Sequence, residues 1–459
     1  MKSEKIGKVG RVARVRWVFL ILFFVGIPSW IQADVNDILL KFHPYVSARE
    51  EYNSNILLSK TNKLSDFITG VYPGLSFFSL DRTTYMVDLN FIASYFYYER
   101  NRDFSFFSPT GRLNAWYALS PNLTFRVRDY LVRSDAAREA LYGASVPQDQ
   151  PNQYLLSTQT GVHAIYLRNV AEPSLDYRFG RENLFSVLYR NNVYHNQKDN
   201  LFEDSQENTV NPRLNYWFDI HNGVLLDFFH SIGHFERSPD MVGDGGSLRY
   251  TYRFDPQLSV FGSYFFVREN FKNPGVDYDV HNPSLGVQYK FSPTLLATAQ
   301  GGYWWQIPDQ GSKSSGPFFS LDLTEKAVRT TYSLQLSGGY IQDYFTAQNL
   351  GFNKYYRAYG MINHMLSQKT SIRATGSVER PIYETGRKDW IWNTHVGVYY
   401  LLFRWMSLSL EGSYTQDRSN ISGSGYKDCR GIFGITLGQP GFMPAMIGQP
   451  TLQRPMYSY

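Results

Sequence analysis

The sequence predicts an all-β fold: a transmembrane, antiparallel up-and-down β-barrel of about 20 strands, with 18 and 20 as the even values in range. Three observations carry that expectation. Apolar and polar residues alternate with period two through almost the whole chain after residue 33. Short polar turns recur along it, and the second face of each strand stays polar, with charges at mid-strand.

The stretch LGVQYKFSPTLLATAQ (285–300) shows the unit. Leu285, Val287, Tyr289 and Phe291 point one way, while Gly286, Gln288 and Lys290 point the other. A Ser-Pro turn breaks the strand, and the alternation then resumes. Equivalent turns stand at 81–84, 120–122, 180–183, 221–223, 255–257, 292–294, 325–327, 367–369 and 403–405. Longer connections rich in Asn, Asp, Gly, Ser and Pro lie between them, such as SDAAREALYGASVPQDQPN and HNQKDNLFEDSQEN. Tight turns at one end and long loops at the other describe a barrel with periplasmic turns and extracellular loops.

A weak repeat supports the count. EPSLDYRF (172–179), NPRLNYWF (211–218) and NPSLGVQYKF (282–291) each carry Pro near the start and aromatics before a turn. That placement puts each Pro where a strand emerges from its loop and no ladder donor is needed. Each hairpin takes roughly 35–40 residues, enough for two spanning strands of about 10 residues and their connections. A propeller repeats at a similar length but needs four short strands per blade.

The destination of the apolar faces follows from the other face. In TYMVDLNFIASYFYY, Tyr85, Val87, Leu89, Phe91, Ala93, Tyr95 and Tyr97 oppose Asp88, Asn90 and Ser94. In SIRATGSVE, Ile372, Ala374, Gly376 and Val378 oppose Ser371, Arg373, Thr375, Ser377 and Glu379. A soluble core of this size would need many wholly apolar strands. A closed barrel satisfies every backbone group and turns its polar face to water, so the apolar faces meet lipid. Tyr97, Tyr98, Trp304, Trp305, Trp390, Trp392 and Tyr399, near strand ends, suit interfacial girdles.

Composition narrows the alternatives. Aromatic residues make up 17% of the 459 positions, with 35 Tyr and 33 Phe, and no composition shift or linker divides the chain. The mean hydropathy of −0.35 excludes a bundle of membrane helices. A single cysteine, Cys429, leaves no intrachain disulfide and no multi-Cys metal site. The formal charge of +5 belongs to residues 1–33; without them basic and acidic residues are equal in number, which gives no support to nucleic-acid binding.

The N-terminus reads as an address. A basic segment, the apolar run WVFLILFFVGI (17–27) and a small residue before Asp34 have the form of a secretory signal peptide. The alternative, an inner-membrane anchor, is short of the roughly 20 apolar residues a spanning helix needs. The expected organisation is therefore a leader over 1–33, the barrel over 34–438 and a Pro-rich tail over 439–459.

Extending the alternation places Arg126, Arg128, Arg178, Arg190, Arg249, Arg253, Lys290, Arg357 and Arg373 inward, with fewer acids, Asp88, Asp176, Glu379 and Glu411. Two readings stay open. Rings of Arg and Lys favour anions and grip carboxylates or phosphates, or the same Arg residues pair with acids across strands. Trp217 and Tyr359 share that face, where they are placed to stack on sugar rings. No enzyme, cofactor or metal site is expected. In HSIGHF, His230 and His234 share one face while Ser231 opposes them, and no phosphate-cradling glycine loop or metal-spaced His/Asp set is present.

The start of the expected barrel, FHPYVSAREEYNSNILLSKTNKLSDFITGVYPGL (42–75), resembles an outer-membrane β-barrel porin family whose members are often associated with exopolysaccharide or capsule export. The resemblance rests on EEYNSNI and on DFITGVYPGL, read as a short strand with Pro-Gly at its return; YLRNVAEPSLDYRF and VNPRLNYWF fit the same hairpin style. It implies an outer-membrane location and suggests a conduit or accessory barrel for an anionic polysaccharide, with outer-membrane lipid, lipopolysaccharide, polysaccharide and export-machinery proteins as partners. It identifies no catalytic residues. The rivals are a general or solute-uptake porin and a non-conducting structural or adhesive barrel. The family commonly ends on an aromatic in its last strand, whereas here CRGIFGITLG (429–438) is followed by a further segment with four prolines.

Overall fold

A computed structural model of the chain describes residues 41–135, 163–197, 202–345, 349 and 351–438; the expected leader and tail lie outside the described residues. The strands are β1 (Phe42–Asn53), β2 (Asp66–Asp81), β3 (Tyr85–Tyr98), β4 (Phe106–Ala118), β5 (Leu123–Asp135), β6 (Ile165–Phe179) and β7 (Asn183–Asn196). Next come β8 (Ser205–Trp217), β9 (Asn222–Phe235), β10 (Met241–Arg253), β11 (Leu258–Phe271), β12 (Tyr278–Lys290), β13 (Leu295–Pro308) and β14 (Ser314–Lys326). The last are β15 (Thr330–Asp343), β16 (Gly351–Met365), β17 (Thr370–Glu379), β18 (Ile382–Tyr383), β19 (Asp389–Phe403), β20 (Met406–Ser419) and β21 (Gly425–Gly438). Among the described residues no helix is long and apolar enough to cross a membrane.

Neighbours in sequence pair antiparallel, and β1 closes on β21 from Tyr45↔Gly438 to Asn53↔Arg430. The two-residue β18 pairs with β16 in line beyond β17, so the sheet is a closed ring of 20 spanning strands. Closure removes every edge and leaves the backbone satisfied in lipid. All nine short turns fall between strands at one end, and several are fastened locally. The Ser120 hydroxyl accepts from the Asn122 and Leu123 amides, and the Asp219 carboxylate accepts from those of His221 and Asn222.

Two local expectations need correction. Pro173, Pro212 and Pro283 lie within β6, β8 and β12 rather than at strand entries, and β2 runs unbroken through Pro73 and Gly74 instead of returning there. The ladder shows how this is possible. Partner pairs jump from Val71↔Tyr95 to Gly74↔Ile92, from Ala171↔Asn191 to Ser174↔Leu188, and from His281↔Trp305 to Ser284↔Gly302. Each proline withdraws one donor from one side of its strand, and the chain pairs again beyond it. Gly74 is fixed by close approach, since a Cβ there would overlap the Tyr45 ring.

The outer face carries the exposed apolar side chains, among them Leu285, Leu410, Val396, Phe91 and Phe228. The inner face is polar through mid-barrel but turns aromatic towards the loop end. Three buried clusters stand there: Tyr130, Val132, Tyr166 and Tyr194 with Phe202; Ile68, Tyr72, Phe96 and Phe106 with Ile56; and Val267, Tyr278, Val280 and Trp304 with Phe352. Tyr98, Trp304 and Tyr399 therefore face inward, 2%, 1% and 3% exposed, and do not belong to an interfacial girdle. Trp305 and Trp390 remain exposed on the outside.

Candidate functional site: the inner wall

Antiparallel partners share a face, so the register places each charged side chain relative to the apolar belt. All thirteen residues singled out in the sequence lie on the face opposite that belt, but they divide into different environments.

The wall of β5–β7 is the most basic. Arg126 meets Asp176 at 2.6 Å, Arg128 meets Glu172 at 3.2 Å, and Arg190 approaches the same Glu172 carboxylate at 3.7 Å. Ser186 donates to Asp176 at 2.7 Å, and Arg168 donates to Asn192 at 3.3 Å. Arg178 stands on this face at the turn end. Among the described residues of these three strands, only Glu172 and Asp176 oppose the inward guanidiniums.

Further round, Arg249 lies 3.4 Å over the Phe261 ring and Arg253 lies 3.4 Å over the Trp217 ring. Arg253 also donates to Glu182 at 2.8 Å, and this hydrogen bond holds the Glu182 carboxyl below its ordinary range. Trp217 is thus covered by a guanidinium. Lys290 stands opposite Leu296, Arg373 opposite Asn363, Asp88 opposite Asn114, and Tyr359 opposite Ser377. Arg357 and Glu379 are paired at 2.9 Å.

The wall of β19–β21 and β1 is richer in acids. Arg430 bridges Asp428 at 2.6 Å and Glu51 at 3.3 Å; Arg387 reaches Asp389 at 2.8 Å and Asp417 at 3.6 Å; Glu411 meets His395 at 3.0 Å. The two walls therefore differ in how many acids stand beside their guanidiniums. Among the described residues, the acids Glu51, Glu172, Asp227, Asp417 and Asp428 also line the inner face and escaped the sequence reading. So did Arg49, Arg112, Arg168, Arg213 and Arg430. Continuing the period-two phase into REEYN and YKDCRGIF would have found the members on β1 and β21. Pairing itself was not legible, since it depends on register across strands.

Five of the cations predicted inward, Arg126, Arg128, Arg190, Arg253 and Arg357, stand in ion pairs. Arg178, Arg249 and Lys290 have no acidic partner among the described residues. HSIGHF is split between faces: His230 meets Asp244 at 2.7 Å and His234 meets Asp240 at 3.3 Å on the outside, while Ser231 accepts from Thr209 at 2.9 Å on the inside. Among the described residues no group of His, Cys, Asp and Glu is arranged to hold a metal ion.

Residues 245–439, from within β10 to the end of β21, match the family described as "Putative beta-barrel porin 2". Comparison with curated proteins gives no match. Among solved structures, the FpvAI–pyocin S2 complex is similar at 11% identity, covering 87% of this chain and 70% of that one, with a TM-score of 0.51. Pseudomonas aeruginosa OccK2 (OpdF) in complex with glucuronate is similar at 9% identity, covering 87% and 98%, with a TM-score of 0.43. The FrpB iron transporter from Neisseria meningitidis is similar at 9% identity, covering 89% and 83%, with a TM-score of 0.46. The chain has the fold of an outer-membrane β-barrel, and its C-terminal part is similar to a porin family.

Proposed function

We propose that the protein is a passive outer-membrane channel for small hydrophilic solutes that carry carboxylate groups. One observation supports this most: the guanidiniums on β5–β7 form a staircase along the barrel axis. Arg178 lies near the turns, Arg126 stands opposite Ser174, Arg128 opposite Glu172, and Arg168 lies nearer the loops. Among the described residues of these strands only Glu172 and Asp176 stand against it, and guanidiniums are suited to binding carboxylates in two-pronged fashion. Binding at several sites in series, none of them deep, is what conduction requires.

Export of an anionic polysaccharide would use the same wall, and its support is the family resemblance of residues 42–75. The aromatic clusters and the infolded segments at the loop end weigh towards small solutes. The test is conductance of the purified full-length protein in planar bilayers, with anion and cation permeabilities compared. Anion preference that falls in an Arg126→Gln/Arg128→Gln variant is the expected result. A conducting but cation-selective barrel would sink the carboxylate reading, and a silent, stably inserted one would sink the channel itself.

A further inference from the structure

The strands β15 and β16 do not stay in the wall. Partner pairs between β14 and β15 end at Phe319↔Gly338, although β14 continues to Ser314 and β15 to Asp343. Pro317, which has no N–H to give, lies just beyond that last pair. From there the alternation turns over. Leu334 is exposed on the outer face, and by period two Tyr340 and Gln342 would follow it outward. Instead they touch residues that face inward.

The Tyr340 ring lies 5.4 Å from Trp304 and 5.3 Å from Phe352, and Phe352 lies 5.5 Å from Trp304 and 5.8 Å from Tyr278. Gln342 donates to the Tyr278 hydroxyl at 2.9 Å and to the Glu269 carboxylate at 3.2 Å, and Tyr344 shares a 2.7 Å hydrogen bond with Tyr278. Lys354 donates to the Ser315 carbonyl at 3.1 Å. These contacts require the ends of β15 and β16 to lie inside β11–β14. The short β18 pairs with them, and Gln306 on β13 donates to Glu384 beside it at 3.3 Å.

This three-stranded tongue extends along the inner wall as far as β9. The Phe345 ring stacks on Phe235 of β9 at 5.3 Å, and Asn349 donates to Glu203 at 2.6 Å and to Ser238 at 3.1 Å. Its landing place is shaped for it: a Cβ on Gly233 would lie 2.7 Å from the Phe345 ring.

We propose that the tongue is a seated constriction that sets the size limit of the channel at its loop end. The aromatic face holds it against β11–β13, and the Phe345 and Asn349 contacts hold its tip at the loop ends of β8–β10. This rests on the channel reading. The test compares full-length wild type with Gly233→Val, which pushes the tip off its seat, with Phe345→Ala, which removes the tip ring alone, and with Trp304→Ala/Phe352→Ala. Single-channel conductance and the largest polyethylene glycol that enters the pore are measured, and folding is checked by heat-modifiable gel migration. Unseating should raise conductance about twofold and enlarge the polymer cut-off. A conducting wild type whose folded variants match it in both readouts overturns the constriction and leaves the channel standing. A folded wild type that stays silent overturns both readings.

Discussion

At the turn end several hairpins close themselves. Between β12 and β13 the Ser292 hydroxyl accepts from the Thr294 and Leu295 amides, and between β8 and β9 Asp219 does the same for His221 and Asn222. At the loop end the fastening groups come from distant parts of the chain. Phe352 sits among Tyr278 and Trp304, and Asn349 is bound to Glu203. The difference teaches where the information lies. A turn is specified within a few residues, whereas the mouth is specified only once the ring has closed and its far walls face one another.

The largest expected effect breaks that comparison most directly. Phe352 is 1% exposed, so Phe352→Ala removes a fully packed ring, at a cost of about 3–5 kcal/mol. The heat-modifiable transition should fall clearly, with loss of protection from protease concentrated in the loop-end segments. A variant as heat-resistant as wild type would mean that the aromatic seat contributes little to the folded mouth.

A pH series sharpens the same contrast. Burial works against the Glu203 charge, but hydrogen bonds from the Ser238 hydroxyl, Asn349, and the Ser238 and Arg237 amides outweigh it and hold the carboxyl below its ordinary 4.5. A depressed folded value gives stability that is complete above 4.5 and lost as pH falls through the lowered value. Acidification should therefore loosen the tie at the tongue tip and raise conductance, and Asn349→Ala should shrink that step. Asp219 is also held low, first by the Asn222 side chain and then by local amides, yet its protonation disturbs one turn only. A conductance step unchanged in Asn349→Ala would separate the tie from the pH response.

What was legible in the sequence follows the same division. Alternation gave the strand faces, and the nine turns gave the strand number, because each depends on a few neighbouring residues. The prolines misled: Pro173, Pro212 and Pro283 read as strand entries because a lone residue does not show that its neighbours bridge the missing donor. Trp304 read as a girdle residue for a related reason. Period two says which side of a strand a residue takes, and nothing in it says that a tongue from β15 and β16 covers that side. The inner wall was half legible, since the Arg residues announced themselves by phase while Glu172 and Asp428 became partners only through register.

The smallest expected effect lies at the turns and decides whether they are as self-contained as they look. Ser292→Ala removes one acceptor for two backbone amides that are exposed and have water as a substitute, so the cost should stay under about 1 kcal/mol. Single-channel conductance, polymer cut-off and the pH step should all match wild type, because no group at the mouth touches this turn. A measurable change in any of them would show strain passing along β12 or β13 to the seat of Phe352 on Tyr278 and Trp304. The turns and the mouth would then be one mechanical system joined through those two strands, and the separation of local from long-range fastening would hold for the sequence but not for the folded barrel.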